Sequence, residues 1–184
     1  MDNTERDYYI KEVENKTIIK IIFCVSKNIP LNEKITNEIK KSNCIIIEFG
    51  IQFNQKICDY LPPRIEKIVF NEKFNKFNQC VDNLPTFNPE KGENGLKKIT
   101  FGCNFNQSVD NLPLGLKRLR FSHNFNQPVD NLPIGLQRLT FGYEFNQPLD
   151  NLPSELQKLI ISDTYNKPLN NLPASVKITR IKYY

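Results

Sequence analysis

Phe125-Asn126-Gln127-Pro128-Val129-Asp130-Asn131-Leu132-Pro133 is the stretch on which the fold turns, because the chain repeats it. Phe105-Asn106-Gln107-Ser108-Val109-Asp110-Asn111-Leu112-Pro113 precedes it. A third copy runs from Phe145 to Pro153, and a looser one from Tyr165 to Pro173. Phe105, Phe125, Phe145 and Tyr165 are each 20 residues apart. A fixed period of this size is the mark of stacked repeats. Such stacks build extended surfaces more often than reaction centres.

A second element follows each copy. After Pro113 comes Leu116-Lys117-Arg118-Leu119-Arg120-Phe121, with counterparts at Leu96 to Phe101, Leu136 to Phe141, Leu156 to Ile161 and Val176 to Ile181. Positions 1, 4 and 6 of this hexad are the apolar ones. Positions 4 and 6 alternate with exposed ones, as a strand requires, and position 1 sits where the chain enters it. The pattern extends upstream to Ile65-Glu66-Lys67-Ile68-Val69-Phe70, to Cys44-Ile45-Ile46-Ile47-Glu48-Phe49 and to Ile18, Ile21 and Phe23. Eight strands are expected. Twenty residues leave no room for a long helix on the return, and the two prolines of the motif oppose one. An extended or 3₁₀-like return makes successive strands parallel neighbours at about 4.8 Å. The expected fold class is a β-rich solenoid, a right-handed leucine-rich-repeat-like coil with one curved parallel sheet.

The expected organisation is an N-terminal lead-in or cap at 1–17 and a solenoid at 18–184. Within it, degenerate repeats occupy 18–76, an insertion-bearing repeat 77–104 and regular repeats 105–184. Lys27-Asn28-Ile29-Pro30-Leu31 falls where Phe-Asn-Gln-Pro-Val falls later. Ile35 and Ile39, four apart, suit one or two helical turns over Glu33 to Lys41. The insertion at 86–93, with Pro89 and Gly92, reads as a loop. Extra residues also occur around 72–76.

The repeated residues have assignable roles. Leu116, Leu119, Phe121, Phe125 and Leu132 should point inward, each contributing roughly 1.5–3 kcal/mol on burial. The recurring Asn54, Asn78, Asn106, Asn126, Asn146 and Asn166 should satisfy backbone groups where the chain leaves the strand. Asp82, Asp110, Asp130 and Asp150 suit Asx-type turns, in which the carboxylate accepts backbone N–H groups.

These residues resemble the FNIP repeat family, a divergent relative of leucine-rich repeats. The resemblance is specific over 77–173 and extends over 18–184. Leu116 to Asn124 also resembles the LxxLxLxxN core of leucine-rich repeats, with Asn104 and Asn124 keeping the Asn and Glu144 and Thr164 departing from it. The family implies a curved solenoid, typically in amoebae and in giant viruses that infect them. Some relatives carry an N-terminal F-box that recruits a ubiquitin ligase. Residues 1–17 are too short for one, so such a link would run through another protein. The family brings no catalytic residues.

Composition narrows the class. The 184 residues suit one run of repeats, and 39% hydrophobic residues with 13 Phe supply a core. No apolar span of about 18 residues suggests a membrane helix. Cys24, Cys44, Cys58, Cys80 and Cys103 are odd in number and lack CxxC spacing. They read as reduced thiols in an intracellular, cytoplasmic protein without a metal site. No cofactor is expected. The net charge of +5 permits an acidic partner without demanding one.

Hexad position 3 should face outward. It reads Lys20, Ile46, Lys67, Lys98, Arg118, Arg138, Lys158 and Ile178, and Arg120 and Arg180 add charge at position 5. Stacked like charges repel. The column either solubilises a flat sheet or meets an acidic surface on a protein or a nucleic acid. The absence of interleaved aromatics argues against single-strand stacking. Lys67, Lys98, Arg118, Arg120, Arg138 and Lys158 are the candidate binding residues. The expected function is a non-enzymatic protein interaction module. His123, the only histidine, lacks a partner for catalysis and reads as an exposed loop residue. The insertion at 86–93 is either a partner-contacting loop or drift.

Overall fold

The alternating hexads become short strands that bond to the hexads of neighbouring coils. The computed structural model describes residues 8–12, 19–23, 33–41, 44–57, 60–71, 75–86, 88–91 and 94–183. Among these residues nine strands form one sheet in sequence order. They are β1 (Tyr8–Glu12), β2 (Ile19–Phe23), β3 (Cys44–Phe49), β4 (Lys67–Phe70), β5 (Lys98–Thr100), β6 (Arg118–Arg120), β7 (Arg138–Thr140), β8 (Lys158–Ser162) and β9 (Lys177–Ile181). Pairing is parallel from β2 through β9. The molecule is thus a parallel β-solenoid. Residues 27–31, Cys24 and Cys58 lie outside the described residues.

One strand was not foreseen. β1 precedes the first hexad and pairs antiparallel with β2, Tyr8 opposite Phe23 and Glu12 opposite Ile19. Its sequence, YYIKE, lacks the hexad pattern because a hairpin strand at the edge need not fit a coil. The helix α1 spans Glu33–Lys41, with Glu33 in its first turn and Lys40 and Lys41 in its last, charges that complement the helix dipole. Ile39 is fully buried. Within the insertion, Pro89–Lys91 forms one 3₁₀ turn, and Glu90 and Lys91 are exposed.

The core is a double column of phenyl rings. In three successive coils the Phe that ends the hexad stacks on the Phe of the next motif. Centroids are 3.8 Å apart for Phe101 and Phe105, and 3.6 Å for Phe121 with Phe125 and for Phe141 with Phe145. Between coils, Phe105, Phe125, Phe145 and Tyr165 follow at 6.0–6.1 Å. Leu116, Leu119, Phe121, Phe125 and Leu132 are all buried, as expected. One coil alone would expose its rings to water. The stack therefore shares its stability between neighbours.

The motif asparagines tie coil to coil. Asn54 Oδ1 accepts the backbone N–H of Asn78 at 3.0 Å, and the pattern continues from Asn78 to Asn106, Asn106 to Asn126, Asn126 to Asn146 and Asn146 to Asn166. The amide oxygens of Asn54, Asn78, Asn106 and Asn126 also accept the side-chain N–H of the Gln following in the next coil. The backbone group satisfied belongs to the next coil, which sequence spacing alone does not reveal.

The aspartates differ from the expected Asx turn. Asp82, Asp110, Asp130 and Asp150 accept the side-chain amides of Asn111, Asn131, Asn151 and Asn171 at 2.9–3.2 Å. The carboxylates face along the stack, so the next coil offers the nearer donor. The thiol of Cys80 also donates to Asp82 at 2.8 Å. That bond and the Asn111 amide hold Asp82 below the usual carboxylate range. The same contact raises the Cys80 pKa.

Candidate binding surface

Hexad position 3 forms one continuous row across the sheet. Lys20 pairs with Ile46, Ile46 with Lys67, Lys67 with Lys98, Lys98 with Arg118, Arg118 with Arg138, and Arg138 with Lys158. Parallel pairing sets these neighbours about 4.8 Å apart. Position 4, one residue on, is the buried aliphatic row Ile47, Ile68, Ile99, Leu119, Leu139 and Leu159. Position 3 must therefore face the opposite side.

The last member of the row is Lys177 and not Ile178. β9 pairs Lys158 with Lys177 and Leu159 with Ile178. The final coil is one residue shorter between its turn and its strand: Leu156-Gln157-Lys158 is answered by Val176-Lys177. The cue in the sequence was the aliphatic row, which Ile178 continues and Thr179 does not. The correction makes the row more basic.

The shift also moves Arg180 off this face. It pairs with Ile161, a core residue, and so lies on the core side. Its guanidinium donates to the carbonyls of Tyr165 at 2.9 Å and Ser162 at 3.4 Å. Arg180 caps the open end of the core.

Arg120 remains on the row's face, two residues beyond Arg118. Lys98, Arg118, Arg120 and Arg138 line one groove of about 260 Å³, with Ile99, Leu119, Thr140, Ile160 and Ile181 completing its wall. Lys67 and Lys158 extend the row to either side. Sequence reasoning missed Ile160 and Ile181, because Ile181 reads as a core position until the register shift is known. Beyond β9, the hydroxyl of Tyr183 donates to the Phe141 carbonyl at 2.8 Å. That bond ties Tyr183 to the end of β7.

The electrostatics are one-sided. Lys98 is held below the ordinary lysine range, first by partial burial and then by Lys67, Arg118, Arg120 and Arg138. The ion pairs recorded among the described residues are Lys97 with Glu66 and Lys117 with Glu155. Both lysines occupy hexad position 2. Among the described residues, no carboxylate lies within ion-pair distance of Lys67, Lys98, Arg118, Arg138, Lys158 or Lys177.

Other candidates lie elsewhere. His123 Nδ1 is 2.8 Å from Asn124 Oδ1, and its ring contacts Tyr143. Cys103 is a free thiol whose pKa is raised by burial. Among the described residues no cluster of His, Cys, Asp or Glu could hold a metal ion. No described helix is long and apolar enough to cross a membrane.

Coils of about twenty residues, parallel strands and one row per hexad position define a leucine-rich-repeat-like solenoid. Residues 105–182 match the family model described as FNIP Repeat, at 105–144, 125–163 and 145–182. Among solved structures the chain is similar to CroV588, described as a novel circular LRR protein structure. The identity is 24% and the TM-score 0.38, over 95% of this chain and 41% of that one. The chain thus spans less than half the length of that structure. No curated protein matches it.

Proposed function

We propose that this chain is a non-enzymatic interaction module that binds an acidic stretch of a protein partner along its strand face. One observation carries the reading: Lys67, Lys98, Arg118, Arg138, Lys158 and Lys177 stand in consecutive register, with no carboxylate within ion-pair distance of them among the described residues. A fold that only needed solubility would mix the signs of its surface charge. Position 2 does so, through Lys97 with Glu66 and Lys117 with Glu155. The like charges of the row cost stability until an anionic partner lies across them. Among the described residues no aromatic side chain lines the groove, which favours a peptide over stacked bases. The raised pKa values of Cys80 and Cys103 argue against either thiol as a nucleophile.

The test is fluorescence anisotropy of an oligo-glutamate peptide, with an oligo-lysine peptide as control. The native chain binds the first and not the second. Arg118→Glu combined with Arg138→Glu weakens binding by roughly tenfold, about 1–2 kcal/mol for two exposed pairs. Unchanged affinity in that variant removes the row from the function.

A further inference from the structure

The cations of the row are evenly spaced, and the spacing bears on the shape of what lies across them. From β4 to β9 each strand contributes one: Lys67, Lys98, Arg118, Arg138, Lys158 and Lys177. Ile46 of β3 interrupts the run. Strand spacing sets the step at about 4.8 Å, so the whole run spans about 24 Å. Tyr183, bonded to the Phe141 carbonyl, reaches β7 well past Arg138, about 10 Å along the strand from the row.

A second row lies beside the first on the same face. Two residues on, about 6.6 Å along each strand, Val69, Thr100, Arg120, Thr140, Ile160 and Thr179 stand in register. Apart from Arg120 these are uncharged, β-branched side chains. The face therefore sets a cationic stripe next to a mostly uncharged one.

An acidic partner that follows the row must repeat its carboxylates at the same step. In an extended segment, side chains on one face recur about every 6.6 Å, and they drift about 9 Å from the cations over the length of the run. In a polyproline II segment they recur about every 9.3 Å. On an α-helix, residues three and four apart share a face and recur about every 4.5–6 Å. Only that interval brackets the step of the row. A helix of about 16 residues covers the run from end to end, and its width of about 10–12 Å spans both stripes.

We propose that the strand face receives an amphipathic α-helix of the protein partner, laid across β4 to β9, with its acidic stripe on the cation row and its uncharged flank on the row from Val69 to Thr179. The proposal rests on the acidic-partner reading and gives that partner its secondary structure. Carboxylates four residues apart destabilise the free helix by repulsion. The row neutralises them, so the segment becomes helical as it binds. The same contact relieves the repulsion within the row.

The experiment uses the full chain and labelled peptides of about 16 residues, built from glutamate, alanine and glutamine. Two have the same composition. One spaces its glutamates alternately three and four apart, and the other spaces them two apart. A third is the helix-spaced peptide with a central proline, which breaks the helix. The helix-spaced peptide is expected to bind at least about tenfold tighter than either of the others. Difference circular dichroism is expected to show it gaining helix as it binds. Lys67→Gln combined with Lys177→Gln, at the two ends of the run, is expected to weaken it about fivefold. A thermal unfolding curve matching the parent's verifies that this variant folds. If the strand-spaced or the proline peptide binds as tightly, or the tight peptide gains no helix, the helix is overturned and the acidic-partner reading stands. If the end variant binds as the parent does, the helix does not follow the row and the proposal fails. If no acidic peptide binds, both readings fall. If an oligothymidylate strand displaces every peptide, the partner is a nucleic acid and both fail.

Discussion

The side-chain oxygen of Asn106 accepts the backbone N–H of Asn126 at 2.9 Å, across 20 residues of sequence. The bond joins equivalent points on adjacent coils, so each copy of the motif completes the one after it. Asn126 does the same for Asn146 at 3.0 Å and for the side chain of Gln147 at 3.1 Å. Replacing Asn126 by alanine strands the Asn146 backbone N–H, while the Gln147 side chain keeps its bond to the Asn126 backbone carbonyl. Asn126→Ala should lose about 1–3 kcal/mol of unfolding free energy, the cost of leaving such groups unpaired. Urea denaturation measures it, and a loss below a few tenths would show that water replaces the ladder freely.

The ring columns carry a larger share. Phe125 is buried, stacked at 3.6 Å on Phe121 and flanked along the column by Phe105 and Phe145. Phe125→Ala should cost about 3–5 kcal/mol. Because coils support one another, the damage should spread to neighbouring coils. Hydrogen exchange is expected to accelerate at the β6 and β7 amides before it does at β4.

Gly142 marks a point of closest approach between coils. A Cβ there would lie 1.8 Å from the carbonyl oxygen of Ser122. Backbone atoms cannot rotate away, so the coils must part. Gly142→Ala should destabilise by about 1–3 kcal/mol. A thermal melt of the variant tests this, and an unchanged midpoint would mean that the coils separate at no cost.

The basic row predicts a direction for pH dependence. Lys98 titrates below the usual 10.5 in the folded chain, first through partial burial and then through Lys67, Arg118, Arg120 and Arg138. For a base with a lowered folded pKa the penalty is full while both states are protonated. It fades as pH rises through the folded pKa towards the unfolded one, because the unfolded chain then holds more protons. The Lys98 contribution to stability therefore increases with pH in that window. An NMR titration of lysine side-chain carbons should give Lys98 a midpoint below the ordinary lysine range, and Arg138→Gln should move that midpoint upward.

Most of the architecture was legible because it is written several times. The period placed β3 through β8, and the hexad alternation separated core from face at Leu116, Leu119 and Phe121. Ile35 and Ile39 placed α1. What escaped depends on contacts between coils. The partner of each Asp is an Asn of the next coil, and no pattern within one coil distinguishes that amide from a backbone N–H. β9 slipped by one residue because alignment by Val176 and Ile181 looked as good as alignment by Lys177 and Ile178. Only pairing with Leu159 separates them. That slip hid the role of Arg180 at the core end and of Ile181 beside the basic groove. β1 was hidden for a different reason: a strand in a hairpin carries no repeat signature.

The row's role in recognition is tested most directly by NMR of the arginine side chains during addition of the oligo-glutamate peptide. The account predicts saturable shifts of the Arg118 and Arg138 Nε–H signals, with those of Lys98 and Lys158 backbone amides following. The side-chain amides of Asn131 and Asn151, on the aspartate ladder, should stay still. Movement of the ladder signals while Arg118 and Arg138 remain unchanged would contradict it.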